Sequence, residues 1–239
     1  MIRYIYAADL HKHPALARSM FRDRADQFRT RLGWAVTVDA QGEERDEYDA
    51  MNPLYIIWED ADGRHGGSMR LLPTTGRTMV NDHFSHLTDG TQIQSPLIWE
   101  CTRFCIARGA NPGVAAALML ACGEVVRAFG VAHCVGVFDA RMVRIYKRIG
   151  ACPEILGFQG EGREMIAIGL WECSDEAQSE GAARLGINPD QSRRWLADSF
   201  GWPISDDTDP APVQARHRVM SNIAALPRAM AWAGHQAAC

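Results

Sequence analysis

The chain has 239 residues, of which 47% are hydrophobic and 23% charged, with 21 glycines and 11 prolines. This composition is that of a globular protein and excludes disorder or fibrous structure for most of the chain. No apolar run approaches the roughly 20 residues that a membrane helix needs, and the formal net charge of −4 gives no reason to expect a nucleic-acid partner.

The N-terminal segment does not have the pattern of an export signal, because Asp9, His11 and His13 lie where an apolar stretch is required. Seven cysteines are scattered through the chain, several of them within apolar segments, which is typical of reduced thiols. No group of cysteines and histidines has the spacing of a zinc site, so we predict no metal. These features together predict a cytoplasmic protein.

In the first half of the chain, the sequence predicts one helix and three strands. Pro14 begins the helix and Gly33 ends it, and an acidic loop follows over residues 42–49. The segments 54–58 and 67–72 are expected to pair as an antiparallel hairpin, and 97–107 is a third strand.

In the second half, predicted helices and strands alternate. They are a helix over residues 114–129, a strand over 131–138, a helix over 141–149 capped by Asp139, and a strand over 165–171. Hairpins followed by alternating elements predict a mixed sheet with helices packed on it. We expect one domain over residues 1–200, and over 201–239 a linker with an Ala-rich helical extension whose role is left open.

Charged residues in two places demand partners. The acidic loop carries Glu44, Asp46 and Asp49, whereas Arg70 lies among apolar residues of a predicted strand. Because desolvating an unpaired charge costs several kcal/mol, Arg70 is expected to pair with this loop. The alternatives are a solvated loop and a purely structural ion pair.

Glu100 and Arg103 lie three residues apart in the third strand, where regular alternation would direct them to opposite faces. A β-bulge between them would bring both to one side, and we predict such a bulge. Glu100 is then a candidate general base, acting directly or through a water molecule.

Arg108, Gly109 and Gly113 belong to a short loop, Arg-Gly-Ala-Asn-Pro-Gly, that precedes a predicted helix. Backbone N–H groups at a helix N-terminus suit a phosphate. The loop resembles the pyrophosphate loop of acetyltransferase-like enzymes. An ordinary turn before a helix is the alternative interpretation.

An ordered set of charged and aromatic residues spans about residues 3–172: Arg24, Phe28, Trp34, Glu44, Asp46, Asp49, Arg70 with Leu-Leu-Pro-Thr after it, Phe84, Glu100 and Arg103. In order and spacing this set resembles the LuxI-type family of acyl-homoserine lactone synthases. The resemblance implies an α/β protein with an acetyltransferase-like (GNAT-like) α/β/α sandwich and a mixed, twisted central sheet.

The resemblance also implies an acyltransferase that makes a quorum-sensing signal, the autoinducer. Its substrates would be S-adenosylmethionine and an acyl thioester of acyl carrier protein or coenzyme A, with no further cofactor. N-acylation followed by lactonisation would release methylthioadenosine. The acyl-homoserine lactone produced would act on a separate LuxR-type receptor.

The resemblance assigns two overlapping sets of site residues. The catalytic set is Glu100, Arg103, Asp46, Asp49 and Arg70. The residues that bind S-adenosylmethionine are Arg24, Phe28, Trp34, Phe84 and Arg103.

Three further sets of residues are expected to contact the acyl thioester and its carrier. The apolar acyl pocket has as candidates Cys101, Met119, Cys122, Gly136, Phe138, Met142 and Ile145, each of which is an equally good core residue. The phosphopantetheine would lie at the loop of Arg108, Gly109 and Gly113. An acidic carrier protein would dock on the basic residues Arg144, Lys147 and Arg148, for which a solvated helix face is the alternative.

Gly136 occupies a position where relatives that prefer 3-oxo chains often have threonine, so it favours an unsubstituted, 3-hydroxy or bulky acyl group. Two other functions remain open at this point. One is an acyltransferase that uses acyl-CoA on another amine, and the other is a non-catalytic relative that binds acyl chains or carrier protein. Acyl chain length, the donor and the oligomeric state are not determined by the sequence.

Overall fold

The computed structural model describes residues 1–172, 179, 182–183 and 186–202. Most of the predicted C-terminal linker and extension, from residue 203 onward, lies outside the described residues.

The described strands form a mixed seven-stranded sheet in the order β1-β2-β3-β4-β5-β7-β6. Strands β1 to β3 pair antiparallel, β4 and β5 pair parallel, and β7 pairs antiparallel with both β5 and β6. The strands are β1 (Ile2–Tyr6), β2 (Leu54–Glu59), β3 (His65–Pro73), β4 (Ile98–Ile106), β5 (His133–Asp139), β6 (Glu154–Gln159) and β7 (Ile166–Glu172).

The helices within the described ranges are α1 (Pro14–Ala25), α2 (Met79–His83), α3 (Val114–Ala128), α4 (Ala140–Ile149) and α5 (Pro189–Phe200). A π-helical segment, Asp26–Arg31, continues α1. Short 3-10 helices lie at Ala7–Lys12, Glu47–Met51, Ser85–Thr88 and Gly162–Glu164. None of these helices is both long and apolar enough to cross a membrane.

Within the described residues, the predicted helices and strands are confirmed in type and order, and several helix ends lie where the sequence predicts them. Pro14 lies in the first turn of α1, and Gly33 follows the π-helical segment with a φ of +70°. The side chain of Asp139 caps α4 by accepting a hydrogen bond from the Arg141 N–H at 2.9 Å. Gly150 ends α4 in the left-handed conformation. Strands β1 and β6 and helices α2 and α5 were not among the predicted elements.

The described chain divides into two units, and the boundary passes through β3 after Leu71 and through β4 between Glu100 and Cys101. The first unit contains residues 1–71, 101–124 and the described part of 182–202. Its core forms where apolar residues of α1 pack on β1 and β2 and includes Leu16, Met20, Phe21, Ile5, Tyr55 and Ile57.

The second unit contains residues 72–100 and the described part of 125–181. One core cluster joins α2 to β4, β5, β6 and β7 and includes Val80, Ile98, Val135, Leu156 and Ile168. A second cluster packs α4 on β5 and β7 and includes Phe138, Tyr146, Met165 and Ala167.

The cysteines correct one expectation. Cys101, Cys105, Cys122 and Cys134 remain thiols, and burial raises the pKa of the Cys105 thiol to about 12. Cys152, by contrast, is disulfide-bonded, so the pattern typical of reduced thiols does not extend to this position.

A substitution at Gly157 of β6 tests how closely the second unit is packed. A Cβ atom at this position would lie 1.7 Å from the backbone oxygen of Leu87. We expect Gly157→Ala to lower the free energy of unfolding by roughly 2 kcal/mol or more, because the backbone must shift to relieve the overlap. Urea unfolding measures this change. Gly76→Ala is the control, since its nearest neighbour, the Pro73 oxygen, is 3.9 Å away. Equal stability of the two variants would contradict the prediction.

Candidate active site

Three arginines and three carboxylates form a charged cluster in the first unit: Arg24, Arg70, Arg103, Glu44, Asp46 and Asp49. The arginines come from α1, β3 and β4, and the carboxylates come from the acidic loop. The predicted pairing of Arg70 with this loop is therefore confirmed.

A local capping box holds the loop in shape. The Asp46 carboxylate accepts hydrogen bonds from the N–H groups of Tyr48 and Asp49 at the start of the 3-10 helix Glu47–Met51. The Asp49 carboxylate in turn accepts from the Asp46 N–H at 2.9 Å. This reciprocal pattern satisfies the first N–H groups of the helix and brings the two carboxylates close together.

Asp49 binds two guanidinium groups at once. Arg24 donates to both of its oxygens at 3.0 Å, and Arg70 Nη1 donates to Oδ1 at 2.8 Å. The Tyr55 hydroxyl donates to the same oxygen at 2.5 Å. Asp49 therefore links α1 to β2 and β3.

Asp46 and Glu44 extend these links to β4. Asp46 accepts from Arg70 at 2.5 and 2.9 Å, and Arg103 Nη2 lies 2.7 Å from its second oxygen. Glu44 accepts from Arg24 Nε at 2.6 Å and from Arg103 Nε at 3.1 Å. Every arginine of the charged cluster thus contacts two carboxylates.

Burial divides the charged cluster into a hidden and a partly exposed part. The side chains of Arg24, Arg70 and Glu44 are at most 1% exposed. Those of Arg103 and Asp46 keep 12% and 11% of their surface exposed. Arg103 and Asp46 are therefore the more exposed of these five side chains, and they are ion-paired to the buried Glu44 and Arg70, respectively.

The arginines keep the aspartates ionised despite their burial. Burial alone would raise the pKa of the Asp49 carboxyl, but the charges of Arg24 and Arg70 and their hydrogen bonds outweigh it and lower this pKa well below its usual value. Burial would likewise raise the pKa of the Asp46 carboxyl, but Arg70 and, after it, Arg103 lower this pKa below its usual value. Burial and the neighbouring Asp49 charge raise the pKa of Tyr55, so its hydroxyl remains a donor.

Strand β4 is irregular where the bulge was predicted. Arg103 has a φ of +53°, in the left-handed region that residues other than glycine rarely adopt. The alternation of buried and exposed side chains also breaks between Arg103 and Phe104. Thr102 accepts from Arg70 Nε at 3.0 Å, so two consecutive residues, Thr102 and Arg103, both contact the charged cluster. Regular alternation would direct these two side chains to opposite faces, so the backbone departs from it at Arg103. The β-bulge that would bring Glu100 and Arg103 to one side stays a prediction.

The Phe28 ring lies beside Arg103, and Trp34 stacks on Phe28. Phe28 is buried and its ring stacks on Trp34, with centroids 5.2 Å apart and planes 13° apart. The Arg103 guanidinium carbon lies 5.4 Å from the Phe28 ring centre. Trp34 is 40% exposed and so offers an accessible aromatic face. Phe84, the third predicted aromatic residue, belongs to the second unit and packs against the core cluster that contains Val80.

Glu100 also lies in the second unit and is fully buried. Its carboxylate accepts hydrogen bonds from the N–H groups of Met79 at 3.0 Å and Val80 at 2.6 Å, in the first turn of α2. The side chain of Thr78, at the N-cap position, makes no capping hydrogen bond. Glu100 therefore caps α2 from a distant point in the sequence, a contact that sequence reasoning missed.

The predicted acyl-pocket residues fall into two sets. Cys101, Met119 and Cys122 belong to the first unit, whereas Gly136, Phe138, Met142 and Ile145 belong to the second. Cys101 Sγ lies 3.7 Å from Met69 Sδ. Phe138 and Met142 are part of the core that contains Tyr146, and Gly136 faces Gly169 in the β5–β7 pair.

In the predicted phosphate loop, polar groups already have protein partners. Arg108 binds Asp26 through Nη2 at 3.0 Å, and the Gly113 N–H donates to Asn111 Oδ1 at 2.8 Å. Gly109 has a φ of +77°, which the turn requires.

The predicted docking residues lie on α4, where Arg144 and Arg148 are exposed and Lys147 is half-buried. Within the described ranges, no three His, Cys, Asp or Glu side chains form a group that could hold a metal ion.

Tyr55 and Thr102 were missed as members of the site. Both lie on strands predicted correctly, but neither carries a charge that demands a partner. Only the pairing of the strands brings their hydroxyl groups to the charged cluster.

Residues 8–180 match the autoinducer synthase family. The chain belongs to this family. An acyl-homoserine-lactone synthase of Rhizobium etli is 41% identical over 162 residues, covering 65% of this chain and 76% of that protein. Another from Agrobacterium fabrum is 36% identical over 178 residues, covering 71% and 84%.

Solved structures of acyl-homoserine lactone synthases have the same fold. A CoA-dependent enzyme, BjaI, solved with SAM and isopentyl-CoA, gives a TM-score of 0.71 at 23% identity, covering 91% of this chain and 97% of that one. TofI, in a ternary complex with an inhibitor and MTA, gives 0.60 at 26% identity, covering 73% and 91%. The expected acetyltransferase-like α/β fold with a mixed sheet is confirmed.

The lowered pKa values of Asp46 and Asp49 predict acid sensitivity. Carboxyls whose pKa is lower in the folded than in the unfolded protein stabilise the fold above the unfolded value of about 3.9, and this contribution is lost as the pH falls below it. The free energy of unfolding should therefore decrease steeply below about pH 4.

Urea unfolding between pH 2.5 and pH 7, values chosen to bracket that titration, measures the effect. Asp49→Asn should be less stable than the wild type at pH 7 and show a shallower decrease on acidification. Asp62→Asn, in the exposed β2–β3 turn, should retain the wild-type slope. Parallel curves for wild type and Asp49→Asn would contradict the assignment.

Proposed function

We propose that this chain is an acyltransferase that synthesises an acyl-homoserine lactone from S-adenosylmethionine and an acyl thioester. The observation that carries the proposal is the family match over residues 8–180, with curated relatives of this activity at 41% and 36% identity. The TofI complex with MTA supports S-adenosylmethionine as one substrate, because methylthioadenosine is what remains of it after lactonisation.

The reaction has two steps. The amino nitrogen of S-adenosylmethionine attacks the thioester carbonyl carbon, and the thiol leaves as the amide forms. A carboxylate oxygen of the same molecule then attacks its own γ-carbon, which closes the lactone and expels methylthioadenosine. An α-amino group has a pKa of about 8, so it must give up a proton before it can attack.

In this proposal, Arg103 and Asp46 contact S-adenosylmethionine. They are the partly exposed members of the charged cluster, and together they offer a donor for its carboxylate and an acceptor for its amino group. Arg24, Arg70 and Asp49 hold Arg103 and Asp46 in position. Trp34 and Phe28 supply aromatic faces that suit the sulfonium and adenine groups. Phe84 is a further candidate for the S-adenosylmethionine site, and we assign it no specific contact.

Glu100 is the proposed general base, acting directly or through a bridging water. The N–H groups of Met79 and Val80 orient its carboxylate, and a fixed acceptor is what proton transfer requires. Backbone N–H groups of β4 near residues 101–104 are the proposed donors to the oxyanion of the tetrahedral intermediate.

The acyl donor is a thioester of acyl carrier protein or coenzyme A. The candidates for holding its chain include Met119 and Cys122 in the first unit and Phe138 in the second. Its phosphate would bind at the loop that begins with Arg108, and an acidic carrier protein would dock on the basic face of α4. The product would act on a LuxR-type receptor, and synthesis would take place in the cytoplasm without a further cofactor.

The first test is mass spectrometry of organic extracts from cells that express the chain. An N-acyl homoserine lactone absent from the empty-vector control is the expected result. Glu100→Gln should reduce the lactone by at least about a hundredfold, because the amine loses its base. Glu161→Gln, at an exposed site, should leave the yield unchanged.

Near-normal lactone from a folded Glu100→Gln protein would remove Glu100 from the chemistry. Lactone absent from cells and from reactions of the folded wild-type protein with S-adenosylmethionine and acyl donors would contradict the proposed function.

A second variant tests the role of Gly136 in acyl selection. Gly136→Thr adds a hydroxyl group that can donate a hydrogen bond to a 3-oxo group. We expect the ratio of 3-oxo to unsubstituted products to rise when both thioesters are supplied at equal concentration. Gly136→Val, which has a similar shape and no hydroxyl, is the control. An unchanged ratio in Gly136→Thr would contradict the assignment.

A further inference from the structure

A second polar network in the first unit joins α1 to β3 and takes no part in the proposed chemistry. His65 Nδ1 lies 2.8 Å from Asp23 Oδ2, and His65 Nε2 lies 2.9 Å from Ser68 Oγ. The backbone N–H of His65 donates to Ser19 Oγ at 3.0 Å. Because Ser19 and Asp23 are one helical turn apart, His65 binds two successive turns of α1.

An extra residue in β3 makes this network possible. Trp58 pairs with Gly67 and Glu59 pairs with His65, so Gly66 has no partner across the β2–β3 pair. This bulge brings His65 and Ser68, three residues apart, to the same face of the strand. Gly67 lies so close to α3 that a Cβ atom would be 2.7 Å from Val114 Cγ1.

One tautomer of His65 satisfies both side-chain contacts. A carboxylate can only accept, so Nδ1 carries the hydrogen that binds Asp23, and Nε2 accepts from the Ser68 hydroxyl. The Ser–His–Asp order resembles a hydrolytic triad, but Ser68 and His65 are 1% and 3% exposed. Two contacts of this network run between α1 and β3, so its role lies in holding these two elements together.

The network lies next to both buried arginines of the charged cluster. Asp23 immediately precedes Arg24 on α1, and Ser68 lies two residues before Arg70, on the same face of β3. These two arginines share Asp49, so their spacing depends on how α1 lies along β3. A displacement of about 1 Å in a site of this kind can change binding or rate by orders of magnitude.

We infer that His65 is a positioning residue for S-adenosylmethionine binding. With Asp23 and Ser68 it locks α1 against β3 and so holds Arg24 and Arg70 at the spacing that presents Asp46 and Arg103. This inference rests on the proposed function, because it concerns the site for the same substrate.

A pair of variants of nearly equal size tests the inference. His65→Asn retains an N–H that can bind Asp23, whereas His65→Leu retains none. Calorimetric titration with S-adenosylmethionine alone measures the dissociation constant without requiring acyl transfer. We expect His65→Leu to raise this constant about tenfold, and His65→Asn to remain within about threefold of the wild type.

If His65→Leu fails to fold, Asp23→Ala tests the same contact from the other side, because alanine removes the oxygen that accepts from His65. Asp23 is 30% exposed, and its substitution should also weaken binding, with Asp9→Ala in the exposed Asp9–Lys12 pair as a matched control. Unchanged S-adenosylmethionine affinity in folded His65→Leu or Asp23→Ala would overturn the positioning role. A wild-type protein that binds no S-adenosylmethionine would instead contradict the proposed function.

Discussion

The shared carboxylate of Asp49 is the interaction on which the rest of the site depends. It lies between two guanidinium groups that would otherwise repel each other, those of Arg24 and Arg70. The charged cluster is neutral overall, with three charges of each sign. Because its members are buried, the loss of one partner leaves an uncompensated charge, which costs far more than an exposed ion pair contributes. The charged cluster therefore joins α1, the acidic loop, β3 and β4 as one unit.

Two irregular strands give the charged cluster its shape. In β4 the left-handed backbone of Arg103 allows consecutive residues to contact the same charges. In β3 the extra residue Gly66 brings His65 to the face that carries Ser68 and Arg70. Departures from regular strand geometry cost free energy and persist where surrounding contacts hold them. Here those contacts are the ion pairs of the charged cluster and the hydrogen bonds of His65.

The parts of this arrangement that follow from local rules could be predicted from the sequence. The cost of burying an unpaired charge predicted the partners of Arg70, and capping rules predicted the ends of α4. Strand β1 is short and lies at the start of the chain, and the alternation of β6 is interrupted by the extra residue Leu156, so neither strand was predicted. The roles of Tyr55, Thr102 and His65 depend on strand register and on the position of α1, which no local pattern specifies. The capping of α2 by Glu100 likewise joins residues 20 positions apart.

The most direct test of the account is the stoichiometry of the reaction with purified protein. The chain would be incubated with S-adenosylmethionine and a panel of acyl carrier protein and acyl-CoA thioesters, and lactone and methylthioadenosine would be quantified together. We expect at least one donor to give the two products in equal amounts, because one lactonisation releases one methylthioadenosine. Thioester consumption without either product, or an acylated amine other than homoserine lactone, would contradict it.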